Sequence, residues 1–366
     1  MPLIQLDDPD ATLSLLRDSV AGLAARADGP ATMRRRRAEG RDMDRTVWTV
    51  MAEAGWLGLT LPEDLGGMGL GRAELAVLAE ALGRALLSEP FAPLAVFPGA
   101  LLAGISRSDP VRELADGLIG GQVLPVLWQA ARGGCAPLTL SGDGLLDGEA
   151  HLVAGATSAS GFLVLARRGD DLALIHIDAG AEGLRLHRRP GIDGAMLASV
   201  TLHAVPVVPA QILGHGPQVE AALASAIRLT RLALAAELAG LGARSLELTI
   251  DYTRNRVQFG KSIASFQAIQ HRLVDMWAEA EFACAAVANA VSAQGDDGAQ
   301  AILAAKARAG DAATSITRKA VQLHGAMGFT DQCDIGLYLK RAISLNATLG
   351  QPEELRLAFL DAERAA

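Results

Sequence analysis

Two glycine-bearing strings in this chain could cradle a phosphate, and neither has the spacing to do it. GMGLGR at Gly67 lacks the GxGxxG arrangement, and FGKS at Phe259 imitates the end of a P-loop but carries Asn255 where the first glycine should stand. The seven histidines show no HExxH or comparable ligand spacing. Cys135, Cys284 and Cys333 are odd in number and unpaired in spacing, so buried thiols in a reducing cytoplasm are expected rather than a disulfide or a zinc site. A lone carboxylate, Glu237, interrupts the apolar stretch 232–241 and reads as an interhelical ion pair or a solvated side chain. Arg256 and Gly325 remain. A forked, always-charged guanidinium suits phosphate, and a bare glycine lets main chain approach a ligand closely. Each can equally end a helix: arginine against the last carbonyls, glycine at the cap.

The elements that must position these residues follow from composition and period. Half the residues are hydrophobic and only 4% aromatic, which favours long packed helices over a sandwich or barrel. A net charge of -8 argues against nucleic acid as a main partner, because duplex affinity rests on Lys and Arg neutralising phosphates. The basic run 34–37 reads as the solvated face of an N-terminal helix. MPLIQLDDPD has no basic n-region, and 232–241 is too short for a bilayer of ~30 Å, so a cytoplasmic chain without membrane insertion is expected.

Residues 1–121 read as an N-terminal helical domain, broken by LPEDLGGMGLGRAEL and closed by the proline-punctuated SEPFAPLAVFPG. Residues 122–215 change texture: VLPVLW, FLVLAR, LALIHI and SVTLHAV alternate with Gly/Asp turns, predicting an antiparallel β domain. From 216 to 366 the helical period returns. Val219, Leu223, Ile227 and Leu234 mark a helix ending near Arg256, a second runs from Phe266 to about Ser292, QGDDG at Gln294 is a turn, a third starts near Ala299, and a fourth lies near Glu354. The fold class expected is α+β, mainly α, with an antiparallel four-helix bundle at the C-terminus.

Three long strings carry a resemblance. AEAGWLGLTLPEDLGGMGLG at Ala52, DYTRNRVQFGKSIASFQAIQHRLVDM at Asp251 and KAVQLHGAMGFTDQ at Lys319 are similar, in this order, to segments of the acyl-CoA dehydrogenase family. With the helix–β–helix order, the resemblance covers nearly the whole chain. It implies a flavin enzyme of dimers or tetramers that acts on acyl-CoA and passes electrons to an electron-transfer flavoprotein-like acceptor. FAD would lie between one subunit's β domain and its neighbour's C-terminal bundle. On that resemblance Arg256 contacts the pyrophosphate, and Phe259, Gln267, Gln322, Leu323, His324 and Gly325 line the dinucleotide. Ala326 stands where many relatives have a second glycine.

The resemblance also shows what is missing. Dehydrogenation removes an α-proton as hydride leaves the β-carbon, and the proton needs a positioned carboxylate. Alignment on the family's two base positions places Gly350 and Thr230 there. The strands that the resemblance puts beside the flavin are altered too: LWQAARGGCAPL and LVAG at Leu152 lack the usual strings, and the run at Gly191 keeps Asp193 without the Thr-Arg after it. The residues kept are those offered to a neighbour's flavin. This asymmetry favours a subunit of a heteromeric acyl-CoA dehydrogenase, one without its own base that completes a partner's FAD site. A homomeric flavin enzyme with a relocated base or monooxygenase chemistry is the alternative, and a non-enzymatic scaffold the third reading.

Overall fold

The computed structural model describes residues 1–128 and 137–365. Helices α1 (Thr12–Ala27), α2 (Gly29–Glu39), α3 (Arg45–Glu53), α4 (Arg72–Arg84), α5 (Phe97–Ala103) and α6 (Asp109–Ile119) come first. Strands β1 (Val126–Leu127), β2 (Thr139–Leu140), β3 (Leu145–Ala154), β4 (Gly161–Arg168), β5 (Asp171–Asp178), β6 (Leu184–Pro190), β7 (Met196–Pro206) and β8 (Ile212–His215) follow. Then come α7 (Pro217–Asn255), a hairpin of β9 (Val257–Gln258) and β10 (Lys261–Ser262), α8 (Gln267–Ser292), α9 (Gly295–His324), α10 (Ile335–Ala347) and α11 (Pro352–Ala365). The helical, β, helical order read from the sequence is the observed one.

One compact unit comprises Arg34–Gly71 and Glu89–Thr230. Its sheet runs β6-β7-β3-β2-β4-β5-β8. The antiparallel expectation holds for most ladders and needs correction at two, since the short β1 and β2 both pair with β4 in parallel. β4 explains the mixed sheet. Its continuous apolar run is buried on both faces, with Leu163 and Leu165 entering one core and Phe162, Val164 and Ala166 the other. The first core is closed by Leu101 of α5, Leu118 of α6 and Val219 of α7. The second gathers the inward residues of β7, Ala198, Val200 and Leu202.

The basic run 34–37 departs from the solvated face expected of it. Arg36 is 2% exposed, and Arg35 reaches Asp44 at 2.5 Å. Burial pushes the carboxyl of Glu89 up, with the Arg36 charge opposing the rise. The Asp44 carboxylate also accepts from the main-chain N–H groups of Thr46 and Val47, which caps α3.

The second unit comprises Met1–Met33, Arg72–Ser88 and Arg231–Ala366. Its centre is α7, where Leu232, Leu234, Leu238 and Leu241 are fully buried. A carboxylate survives in that apolar stretch because it is paired: Arg341 of α10 donates to Glu237 through Nε at 2.9 Å and Nη2 at 2.7 Å. α9 packs against α8, α10 and α11. Two details differ from the sequence reading. QGDDG is the opening of α9 itself and not a turn ahead of a helix starting near Ala299, because Asp296 and Asp297 suit the positive end of a helix. α10 is a further helix, amphipathic through Ile335, Tyr338, Ala342 and Leu345, ahead of the one expected near Glu354. No described helix is long and apolar enough to cross a membrane.

Candidate cofactor-binding site

The longest helix ends where its backbone turns. Arg256 donates its N–H to Tyr252 O at 2.8 Å and accepts from Ile263 N at 2.9 Å, so its main chain is committed while its side chain is exposed. Among the described residues the guanidinium has no ion-pair partner. β9 and β10 then pair, with Gln258 opposite Lys261, and the turn residues Phe259 and Gly260 have φ of 54° and 76°. Two successive left-handed residues make a tight hairpin turn that suits glycine and strains an aromatic. Phe259 is nevertheless there and is 92% exposed. Below it the ring of Phe266 lies edge-on at 6.1 Å, with Lys261 Nζ 4.3 Å from that ring's centre. Gln267, the first residue of α8, is exposed.

The end of α9 supplies the other half. Gln322 is exposed, whereas Leu323 and His324 are buried, so Leu323 offers a ligand only its main chain. His324 Nδ1 lies 2.8 Å from Ala320 O. A carbonyl only accepts, so Nδ1 carries the proton, and burial holds the ring's pKa below the ordinary histidine value. This neutral ring stacks on Tyr252 with centroids 4.3 Å apart, and Tyr252 Oη donates to His324 O at 3.2 Å. The stack ties the end of α7, one turn before Arg256, to the end of α9. Gly325 follows with φ 61°, and a Cβ there would meet nothing within 4 Å.

Sequence reasoning missed Tyr252 as the strut of this corner. It also missed Met327 and Phe329, which are 43% and 82% exposed just beyond Gly325. Their signal was composition: in a chain with eight phenylalanines, Phe259, Phe282 and Phe329 are all spent on the surface. The assembled set is a free guanidinium, two exposed amides, an aromatic plate and open glycine main chain. It can bind a phosphate diester and a flat ring. It contains no acid–base pair.

The two positions aligned with the family's base are both closed. Thr230 is 1% exposed, and its hydroxyl donates to Ala226 O one turn back at 2.7 Å. Gly350 has φ 114°, and a Cβ there would come within 2.8 Å of Leu355 Cδ2. Its loop is held by two cations: Arg231 Nε donates to Leu349 O at 2.9 Å, and Lys306 Nζ lies 3.2 Å from Asn346 O and 3.5 Å from Gly350 O. Lys306 is fully buried, and desolvation, with Arg231 beside it, pulls its pKa down to about 7.

On the sheet, Leu152 is 67% exposed in a left-handed conformation with φ 55°, within a bulge of β3. Asp193 is buried and accepts from Ala195 N at 3.1 Å, shaping the β6–β7 hairpin. The string at Leu127 falls mostly on residues 129–136, outside the described residues, and Cys135 lies there too. Cys284 is buried, which pushes its thiol up to about 12, and Cys333 is half-buried. Among the described residues no group of His, Cys, Asp and Glu could hold a metal.

Residues 10–102 match a model of the acyl-CoA dehydrogenase N-terminal domain, and residues 220–360 match one of the C-terminal domain. Acyl-CoA dehydrogenase IpdE2 of Mycobacterium tuberculosis is 31% identical over 350 residues, covering 95% of this chain and 96% of that one. A variant of the Tcur3481-Tcur3483 steroid ACAD is similar in structure, with TM-score 0.84, 30% identity, and 96% and 98% of the two chains covered. The ChsE4-ChsE5 complex of M. tuberculosis shares the fold at TM-score 0.86 and 24% identity, with 99% of each chain covered.

Proposed function

The chain belongs to the acyl-CoA dehydrogenase family, and from that premise we propose that it serves FAD-linked α,β-dehydrogenation of an acyl-CoA thioester as a subunit without its own base, completing the flavin site of a partner. One observation carries this reading: the two base positions are closed while the cofactor-facing corner is open. The closed position at Gly350 cannot host a glutamate without moving Leu355, and Thr230 spends its proton on its own helix.

The residues present fit FAD as a ligand held across a subunit boundary. Arg256 would meet the pyrophosphate with charge-assisted donors, Gln267 and Gln322 would supply amide contacts, and the Gly325 main chain would lie against the cofactor. Phe259 would pack on it or on the neighbour, which accounts for an exposed aromatic in a strained turn. Leu323 and His324 would contribute from behind, as the floor that fixes the turn. FAD, when bound, supplies the hydride acceptor; the α-proton would go to a carboxylate of the partner chain. We assign the cofactor-facing corner and the oligomer contacts to residues 216–366, with 1–121 and 122–215 as the helical and β domains of the same subunit. Tcur3481-Tcur3483 and ChsE4-ChsE5 are complexes of two different chains, which supports a heteromer, and an electron-transfer flavoprotein-like acceptor follows from the family chemistry.

Flavin content per chain tests the reading, measured on the chain alone and after co-expression with a neighbouring dehydrogenase gene product. Bound flavin and turnover are expected only in the co-purified complex. Full flavin occupancy and dehydrogenation by the chain alone would sink it in favour of a homomeric enzyme.

A further inference from the structure

Between α8, α9, the end of α10 and the first turn of α11 lies a cavity of about 620 Å³ that shares no residue with the flavin corner. All four helices belong to the C-terminal helical unit. α9 supplies one wall: Arg308, Asp311, Ser315 and Arg318 recur every three or four residues and so share one helix face.

Most charges of the cavity are matched within the chain, and two are not. Lys319 Nζ donates to Glu279 Oε1 at 2.9 Å, and Arg356 pairs with Asp311. Glu353, in the first turn of α11, faces the positive end of its own helix. Among the described residues neither Arg308 nor Arg318 has an ion-pair partner. Arg308 lies over the ring of Phe282 at 5.4 Å, a contact that leaves its charge uncompensated. Two unmatched guanidiniums at one cavity are an excess of positive charge in a chain whose net charge is -8.

The wall also holds polar atoms in need of a partner. Glu279 Oε2, Thr314 Oγ1 and Asn346 Oδ1 are buried without a hydrogen-bond partner among the described residues. Such atoms are rare in folded chains, because each carries its desolvation cost until a partner arrives. Thr314 departs from the habit of its helices. Thr230, Ser245, Thr249 and Thr317 each donate to the carbonyl four residues back, and Thr314 does not. Glu279 is bound through one oxygen only, since Ser315 Oγ and Lys319 both donate to Oε1. Asn346 reaches α9 because position 310 is a glycine; a Cβ there would lie 2.0 Å from its Oδ1.

We propose that this cavity binds a dicarboxylic amino acid, either free or as part of a short acidic peptide. Its two carboxylates would meet Arg308 and Arg318, and its ammonium would meet Glu279, Thr314 and Asn346. Ten residues of helix separate the arginines by about 15 Å, which suits a ligand with an anionic group at each end, and Thr314 lies between them along α9. Forked guanidiniums match carboxylates, and an ammonium supplies three donors to three oxygen atoms. The cavity falls in the size range of small-molecule sites. Asn346 and Pro352 stand on either side of Gly350, so an occupant would tie both flanks of that loop to α9.

The test is calorimetric titration and thermal unfolding of the full-length chain, in the assembly in which it purifies. The probes are L-glutamate, L-glutamyl-L-glutamate, glutarate and L-glutamine. L-Glutamate should bind and raise the melting temperature. Glutarate, which lacks the ammonium, and L-glutamine, which lacks the second carboxylate, should each bind about tenfold or more weakly. Tighter binding of the dipeptide assigns the site to a peptide, and tighter binding of L-glutamate to the free amino acid; either upholds the inference. Arg318→Ala should weaken L-glutamate and glutarate alike, whereas Glu279→Gln should weaken L-glutamate and not glutarate. Should Glu279→Gln fail to fold, the comparison of L-glutamate with glutarate on the wild type decides the same point. Glutarate binding as tightly as L-glutamate overturns the inference, because the buried acceptors would then be idle. L-Glutamate binding that neither variant alters overturns it too, as does a wild type that binds neither L-glutamate nor the dipeptide. The acyl-CoA reading stands in each case, since the flavin corner uses other residues.

Discussion

Two corners of the C-terminal helical unit share a construction and differ in what they expose. At one, Tyr252 and His324 stack to hold a turn whose Arg256, Phe259, Gln322 and Gly325 all face outward. At the other, Arg231 and Lys306 grip successive carbonyls of a loop that shows no titratable side chain at Gly350. Both are fixed by polar contacts to main chain, so rigidity does not distinguish them. Direction does. The first spends its main chain internally and frees its side chains, as a donor surface must. The second spends the half-buried Arg231 and the buried Lys306 on its own carbonyls and holds position 350 at a φ of 114° that strains any side chain.

The largest effect should come from trying to reopen the closed corner. Gly350→Glu adds a side chain at φ 114° against Leu355, and should destabilise the chain by roughly 2–4 kcal/mol while restoring no α-proton removal. Thermal unfolding and a dehydrogenase assay of the variant read both. A gain of turnover would show that the loop can carry a base and would erase the contrast.

Arg256→Ala attacks the open corner. Loss of one charge-assisted contact of roughly 1.5–3 kcal/mol should weaken flavin retention in the assembled complex about tenfold to over a hundredfold. The isolated chain should keep its melting temperature, since the exposed guanidinium has no ion-pair partner among the described residues. Unchanged flavin affinity would leave the corner a surface without a ligand.

Lys306 sharpens the comparison through pH. Its pKa is about 7 in the folded chain against an ordinary 10.5, so between those values the unfolded chain holds a proton that the folded one has released. Stability from this group therefore rises with pH across that window and is lowest below about 7. Lys306→Met should flatten that rise in chemical unfolding series. An unaltered slope would mean that the ammonium is not strained by its burial.

The smallest effect belongs to Phe259→Gly. Relief of the left-handed aromatic should stabilise the isolated chain by up to ~1 kcal/mol, yet weaken assembly or flavin retention. Denaturant midpoints and the oligomeric state by light scattering check the two halves. A variant that is more stable and assembles equally well would show the exposed ring to be idle.

The sequence by itself determined the order of helical and β segments, because periodicity and turn residues are local properties. α7, α8 and most of α9 were legible from their apolar spacing, and the strings around Arg256, Phe259 and Gln322 made those residues candidates for the cofactor site. Glu237 read as either an interhelical ion pair or a solvated side chain, and the choice of the pair, with Arg341 as partner, came only once α10 lay against α7. Tertiary structure alone decided the rest, for one reason: burial and direction depend on neighbours far away in the chain. It buried Arg36 in a run that reads as solvated, set β1 and β2 parallel to β4, and stacked His324 on Tyr252. A glycine at 350 is an absence on paper. Only the φ of 114° and the proximity of Leu355 make it a place where a side chain is strained and Leu355 must shift.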